Sequence, residues 1–85
     1  MSNKLEILKK RLIYRASYRG TKEMDILLSA FVNKYIDSFD ENFLSELENF
    51  LNFEDEIILN FYNYNIIKKK IDENKIAKIF KNFKI

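Results

Sequence analysis

RLIYRASYRGTKEMDILLSAFVNKY, residues 11–35, decides how this chain folds. Leu12 and Ala16 continue a stripe begun by Leu5 and Leu8, recurring at three- and four-residue steps on one side of a helical cylinder. The stripe stops near Tyr18, just before Gly20. This is the only glycine in the chain, and so the only residue that takes a positive φ without steric cost. A second helix then starts near Thr21. Glu23 and Asp25 fall in its first turn, where carboxylates complement the positive end of the helix dipole, and Met24, Leu27, Leu28, Phe31 and Tyr35 form its apolar side. The stretch therefore predicts two helices folded about one glycine turn.

The same punctuation continues outward. Ser38 and Glu41 have the spacing of a capping box in front of a third helix bearing Phe43, Leu47, Phe50 and Leu51. Asn52 with Asp55 predicts a polar start for a fourth, carrying Ile58, Phe61 and Tyr62 and broken at Asn63, Tyr64 and Asn65. A last helix is expected from Asp72 onward with Ile76, Ile79, Phe80 and Phe83 on its face, and Ile66 to Ile71 either extend it or add a turn. Toward the other end, Ser2 is the expected N-cap of the first helix. A chain with one glycine and no proline lacks the turn residues that hairpins and sandwiches need. The expectation is an all-α bundle of four or five short helices, with residues 1–85 as one domain.

Composition narrows the chemistry. No histidine and no cysteine means no thiolate or imidazole metal site, no disulfide and no Ser/His or Cys/His nucleophile pair. Gly20 alone can write neither GxGxxG nor a P-loop, so no nucleotide is held by those devices. No apolar run approaches the roughly 20 residues that cross a bilayer, and the start MSNKLEILKK has no secretory hydrophobic region. The expected residence is the bacterial cytoplasm rather than the mitochondrial matrix, with no membrane insertion. The net charge of +2 hides three blocks: residues 1–22 are basic, 23–56 acidic and 57–85 basic. Blocks of opposite sign attract within a bundle and also set up a field that can steer a partner.

Two acidic clusters, Asp40/Glu41 and Glu54/Asp55/Glu56, are dense enough for acid and base work, but at helix starts they are explained by capping and dipole effects. Lys68, Lys69 and Lys70 suit a solvated flank. They also support the alternative from another class, a small helical nucleic-acid-binding or regulatory module. Phe31, Phe43, Phe50, Phe61 and Phe80 sit at helical spacing and are expected in the core, whereas Tyr14, Tyr18, Tyr62 and Tyr64 are candidates for a partner surface. The arginines stand apart. All three, Arg11, Arg15 and Arg19, lie at four-residue intervals on one side of the first helix, while lysine is used everywhere else. Arginine suits planar, bidentate recognition. Two readings stay open on spacing alone: an internal clamp, Arg19 to Glu23 or Arg15 to Asp25, and a partner-binding site of Arg11, Tyr14, Arg15, Arg19, Gly20, Glu23 and Asp25.

With Arg19, Gly20 and Glu23 forming RGxxE after an RLxY helix and before ILLSAF, the chain resembles the small FAD assembly factors of succinate dehydrogenase, the SdhE-type proteins of bacteria and their mitochondrial counterparts. The resemblance runs over roughly residues 9–62, including Glu54/Asp55 and an aromatic near Phe61 where the family often has tryptophan. The glycine and proline that the family carries between its last two helices are absent from Asn63 to Ile71. The resemblance implies a five-helix bundle that is not itself an enzyme. It would bind the flavoprotein subunit of succinate dehydrogenase, or of fumarate reductase, and promote covalent attachment of FAD to a histidine of that client. It would hold no FAD stably, FAD being carried by the client. The chain is expected to be monomeric when free, to leave nucleic acid alone, and to present Arg19 and Glu23 exposed in a polar rim with Arg15 and Asp25 around Gly20.

Overall fold

The computed structural model describes residues 3–84, so the expected cap at Ser2 lies outside the described residues. Five α-helices and two 3₁₀ turns make up the described chain, with no strand among the described residues, as the sequence predicts. Helix α1 runs Asn3–Ser17 and α2 Lys22–Tyr35. These two pack against each other along their lengths. Leu12 and Ala16 of α1 are fully buried against Met24, Leu28, Phe31 and Val32 of the core. Thr21 caps α2 through its Oγ1, which accepts from the Met24 amide at 3.3 Å.

A 3₁₀ turn, Ile36–Ser38, leads to α3, Glu41–Leu51, and here the structure corrects the expected capping box. The cap is Asp40, whose Oδ1 accepts from the Phe43 amide at 2.9 Å. Ser38 instead donates its hydroxyl to the Tyr35 carbonyl at 2.7 Å. The reason is register: Phe39 is buried, so the chain closes the 3₁₀ turn over it before α3 can start. Asn52 is likewise no helix start. It closes α3, and α4, Asp55–Tyr64, begins after Glu54, which makes no side-chain cap bond.

At its far end α4 stops on Asn65, in the left-handed region at φ +57°. The Asn65 amide donates to Phe61 and the Ile66 amide to Asn60, so the last carbonyls are satisfied in the manner usually given to glycine. Asparagine is the side chain that best tolerates this backbone, which is how the chain turns without the missing glycine. Of the two expectations for Ile66 to Ile71, the added turn forms and the extension of the last helix does not. Ile66 and Ile67 are exposed, Lys69 and Lys70 have positive φ, and only Ile71 is buried, at the head of the 3₁₀ turn Ile71–Glu73. Helix α5, Lys75–Lys81, is capped by Asn74, whose Oδ1 accepts from Ala77 while its Nδ2 donates to the Glu46 carbonyl of α3.

The core closes on Phe80. Its fully buried ring meets Phe31 of α2 edge-on at 5.1 Å, Phe50 of α3 at 5.4 Å and Tyr62 of α4 at 4.7 Å. Of the five expected core phenylalanines only Phe43 is half-buried. Tyr62 also resolves the tyrosine question for itself, because its hydroxyl donates to the Phe83 carbonyl at 2.6 Å and ties α4 to the end of the chain. No described helix is long and apolar enough to cross a membrane.

Candidate partner-binding site

Gly20 has φ +129°, a backbone that side chains rarely adopt. A Cβ built there meets nothing within 4 Å, so the demand for glycine comes from the backbone and not from crowding. The turn is held from within α2. Oδ1 of half-buried Asp25 accepts from the amides of both Arg19 and Gly20, the latter at 3.4 Å. Asp25 is thus a strut for the motif's backbone and does not pair with Arg15.

The arginines form a ladder onto the third and fourth helices. Arg11 reaches Glu48 at 3.5 Å, Arg15 donates from Nη2 to Asn52 Oδ1 at 2.7 Å, and Arg19 donates from Nε to Asp55 Oδ1 at 2.8 Å. Arg19 goes further. Its Nη1 donates to the Leu51 carbonyl at 2.6 Å and its Nη2 to the Phe53 carbonyl at 2.7 Å. Leu51 is the last residue of α3, so this cation meets a carbonyl that the helix leaves without an intrahelical partner, at the negative end of the dipole. Its carboxylate partner stands in the first turn of α4.

Exposure falls along the ladder, from 57% of the side chain at Arg11 to 10% at Arg19. The expected exposed Arg19 is therefore corrected: three acceptors draw its guanidinium inward. Among the described residues neither of the clamps open on spacing forms, because Arg19 pairs with Asp55 and Arg15 with Asn52. A clamp exists, but between α1 and the α3–α4 junction. Its other half, Glu48, Asn52 and Asp55, recurs at steps of four and three residues, close to the four-residue steps of the arginines, and that spacing is the one signal in the sequence that could have found it.

What remains outward is Glu23, exposed and without an ion pair among the described residues, together with a band of apolar groups. Tyr14 and Tyr18 are 65% and 69% exposed, with ring centroids 4.7 Å apart. Ile7, two turns before Tyr14 on the same side of α1, and Ile26, next to Asp25, are also exposed. Two tyrosine rings in contact, tilted by 41° and exposed beside the Gly20 turn, suit docking, since they bring apolar area at low entropic cost. The arrangement has no acid–base pair aimed at a common point. Asp40 caps a helix, Asp55 is paired, and no described cluster of His, Cys, Asp or Glu could hold a metal.

A family profile described as the flavinator of succinate dehydrogenase matches residues 10–84. Among curated relatives, a mitochondrial succinate dehydrogenase assembly factor 2 of Scheffersomyces stipitis is 37% identical over 88% of this chain and 53% of its own length. The protein of that name in Schizosaccharomyces japonicus is 37% identical over 64% of this chain and 38% of its own. The 2-A form of Drosophila mojavensis is 42% identical over 56% of this chain and 31% of its own. The chain thus spans about half or less of the length of these relatives. No solved structure matches it. The expectation of a bacterial cytoplasmic residence is overturned, since these relatives are mitochondrial by name. Because that profile covers residues 10–84, from α1 through α5, the chain belongs to the family of succinate dehydrogenase flavinators.

Proposed function

We propose that this chain is a mitochondrial assembly factor that binds the flavoprotein subunit of succinate dehydrogenase and promotes its covalent flavinylation. The observation that carries the reading is the positive-φ Gly20 turn with exposed Glu23 and the exposed Tyr14–Tyr18 pair beside it, in a chain of this family. Such a surface offers a partner an apolar anchor and a carboxylate on a preorganised backbone. Without histidine or cysteine the chain has no imidazole or thiolate to offer the reaction. Its effect on the client is positional: it holds the client so that FAD and the accepting histidine stay aligned, which raises their effective molarity. FAD stays with the client, and this chain acts as a chaperone, not an enzyme.

The test is reconstitution. The flavoprotein subunit, expressed with and without this chain, is separated on a denaturing gel and its covalent flavin read by fluorescence. Flavin that appears only with the chain, together with co-purification of the two, supports the reading. Equal flavin in both samples overturns it.

A further inference from the structure

We infer that Arg19 is a positioning residue: it fixes the Gly20 turn through Asp55 and the end of α3 and does not itself meet the partner. This rests on the proposed function for the identity of the partner, but its physical basis lies in the free chain. All three nitrogens of the guanidinium are engaged, Nε by Asp55, Nη1 by the Leu51 carbonyl and Nη2 by the Phe53 carbonyl, at 2.6 to 2.8 Å. With 10% of its side chain exposed, Arg19 would have to give up these bonds before it could reach another protein. The Leu51 and Phe53 carbonyls would then lose a charged donor, a loss that binding would have to offset.

The connection to the exposed groups is continuous. The Arg19 amide is held by Asp25 Oδ1, as is that of Gly20, and Asp25 stands in the same first turn of α2 as Glu23. One residue therefore links two places: its side chain is locked to the α3–α4 junction and its backbone to the start of α2. Freed from Asp55, the turn keeps its sequence and its exposed groups but loses the anchor that sets their direction. Misplacement of a preorganised contact weakens binding even when every contacting group is retained.

Asp55→Ala, Asp55→Asn and Arg19→Lys test this, each checked for helix content by circular dichroism. Asparagine keeps an Oδ1 acceptor for Nε, whereas alanine removes it. In the free chain, hydrogen exchange at the Gly20 to Glu23 amides is expected to quicken about tenfold in Asp55→Ala and much less in Asp55→Asn. Affinity for the flavoprotein subunit of succinate dehydrogenase, titrated with purified protein, is expected to fall about tenfold in Asp55→Ala and to be largely restored in Asp55→Asn. Arg19→Lys, which keeps the charge without the fork, should bind as poorly as Asp55→Ala, and the Arg19→Lys/Asp55→Ala double variant no worse than either. Unchanged binding by Asp55→Ala beside weakened binding by Arg19→Lys would mean that Arg19 touches the partner, and would overturn the inference. So would unchanged exchange at the turn in Asp55→Ala. Should the wild-type chain fail to bind this flavoprotein, the proposed function falls, while the exchange measurement still decides whether Asp55 positions the turn.

Discussion

Arg19 and Asp55, separated by 36 positions in sequence, form an ion pair at 2.8 Å between the turn that joins α1 to α2 and the first turn of α4. Only 10% and 26% of the two side chains are exposed, and the guanidinium also donates to two backbone carbonyls. Removing one member of such a pair leaves the other charge desolvated and unpaired, at a cost of about 3 kcal/mol. In a domain of this size each kcal/mol moves the melting temperature by about 4–8 °C, so Arg19→Ala is expected to melt more than about 10 °C early. Arg11, whose side chain is 57% exposed opposite Glu48, should tolerate the same change within about 1 kcal/mol. Thermal circular dichroism of the two variants checks the gradient along the ladder, and equal melting temperatures would contradict it.

Gly20→Ala isolates the backbone contribution. Because a Cβ there meets open space, the whole cost should be that of forcing a non-glycine residue to φ +129°, about 1–3 kcal/mol. Urea unfolding is the measure. A midpoint equal to that of the wild type would show that the turn relaxes to an ordinary φ. The bulkier Gly20→Arg should in addition abolish partner binding by more than it unfolds the bundle, read by co-purification beside circular dichroism.

The helices were legible because their apolar steps are regular, and Gly20 because no other residue could take its place. The caps were less so. Ser38 and Asp40 both precede Glu41, and only the burial of Phe39 decides which of them starts α3. Asn63, Tyr64 and Asn65 marked the end of α4, but not that Asn65 is the one that takes the left-handed turn, since asparagine's tolerance of positive φ is a weaker signal than glycine's. The site divides in the same way. Spacing brought Arg11 and Arg15 to one side of α1 and left Arg19 just past its end, in the turn, but it could not say that their acceptors lie on the third and fourth helices. Local sequence suggested Glu23 and Asp25 for that role, and tertiary packing gave it to Asn52 and Asp55. The exposure of Arg19 was misjudged for that reason.

The correction at α3 gives its own prediction. Asp40→Ala removes an acceptor from the Phe43 amide and should cost about 1 kcal/mol. Ser38→Ala loses only an exposed hydroxyl bond to the Tyr35 carbonyl and is expected to cost about half as much or less. Chemical denaturation of both variants ranks them, and the reverse order would restore Ser38 as the cap.

Replacing Lys68, Lys69 and Lys70 together by glutamine should leave client flavinylation intact. Lys69 and Glu54, 3.4 Å apart, are 69% and 73% exposed, so their pairing contributes no more than about 1 kcal/mol. The lysines also stand beyond the end of α4, away from the Gly20 turn in sequence and carried by a different loop. Flavin fluorescence of the client at fixed expression is the readout. Loss of flavin here, with Glu23 variants still active, would favour the nucleic-acid or regulatory alternative that the basic tail first suggested.

Tyr14, Tyr18 and Glu23 are the groups that separate binding from folding. All three are exposed, and the tyrosine rings lie against one another, so truncating them removes little buried surface. Tyr14→Ser, Tyr18→Ser and Glu23→Ala are each expected to stay within about 0.5 kcal/mol of wild-type stability. At a protein interface the balance differs: an aromatic anchor desolvated against a pocket can cost about 2 kcal/mol or more when truncated, close to a thirtyfold loss of affinity. A carboxylate paired across the interface has a comparable effect. Arg19→Ala, by contrast, should lower stability and binding together. Melting curves beside client flavin content sort the four residues into two classes, the three exposed groups showing loss of flavinylation at an unchanged melting temperature. If Tyr14→Ser and Tyr18→Ser both flavinylate the client at the wild-type level, the tyrosine pair is only solvated surface at the end of α1 and the turn after it, and the partner must dock elsewhere on the bundle.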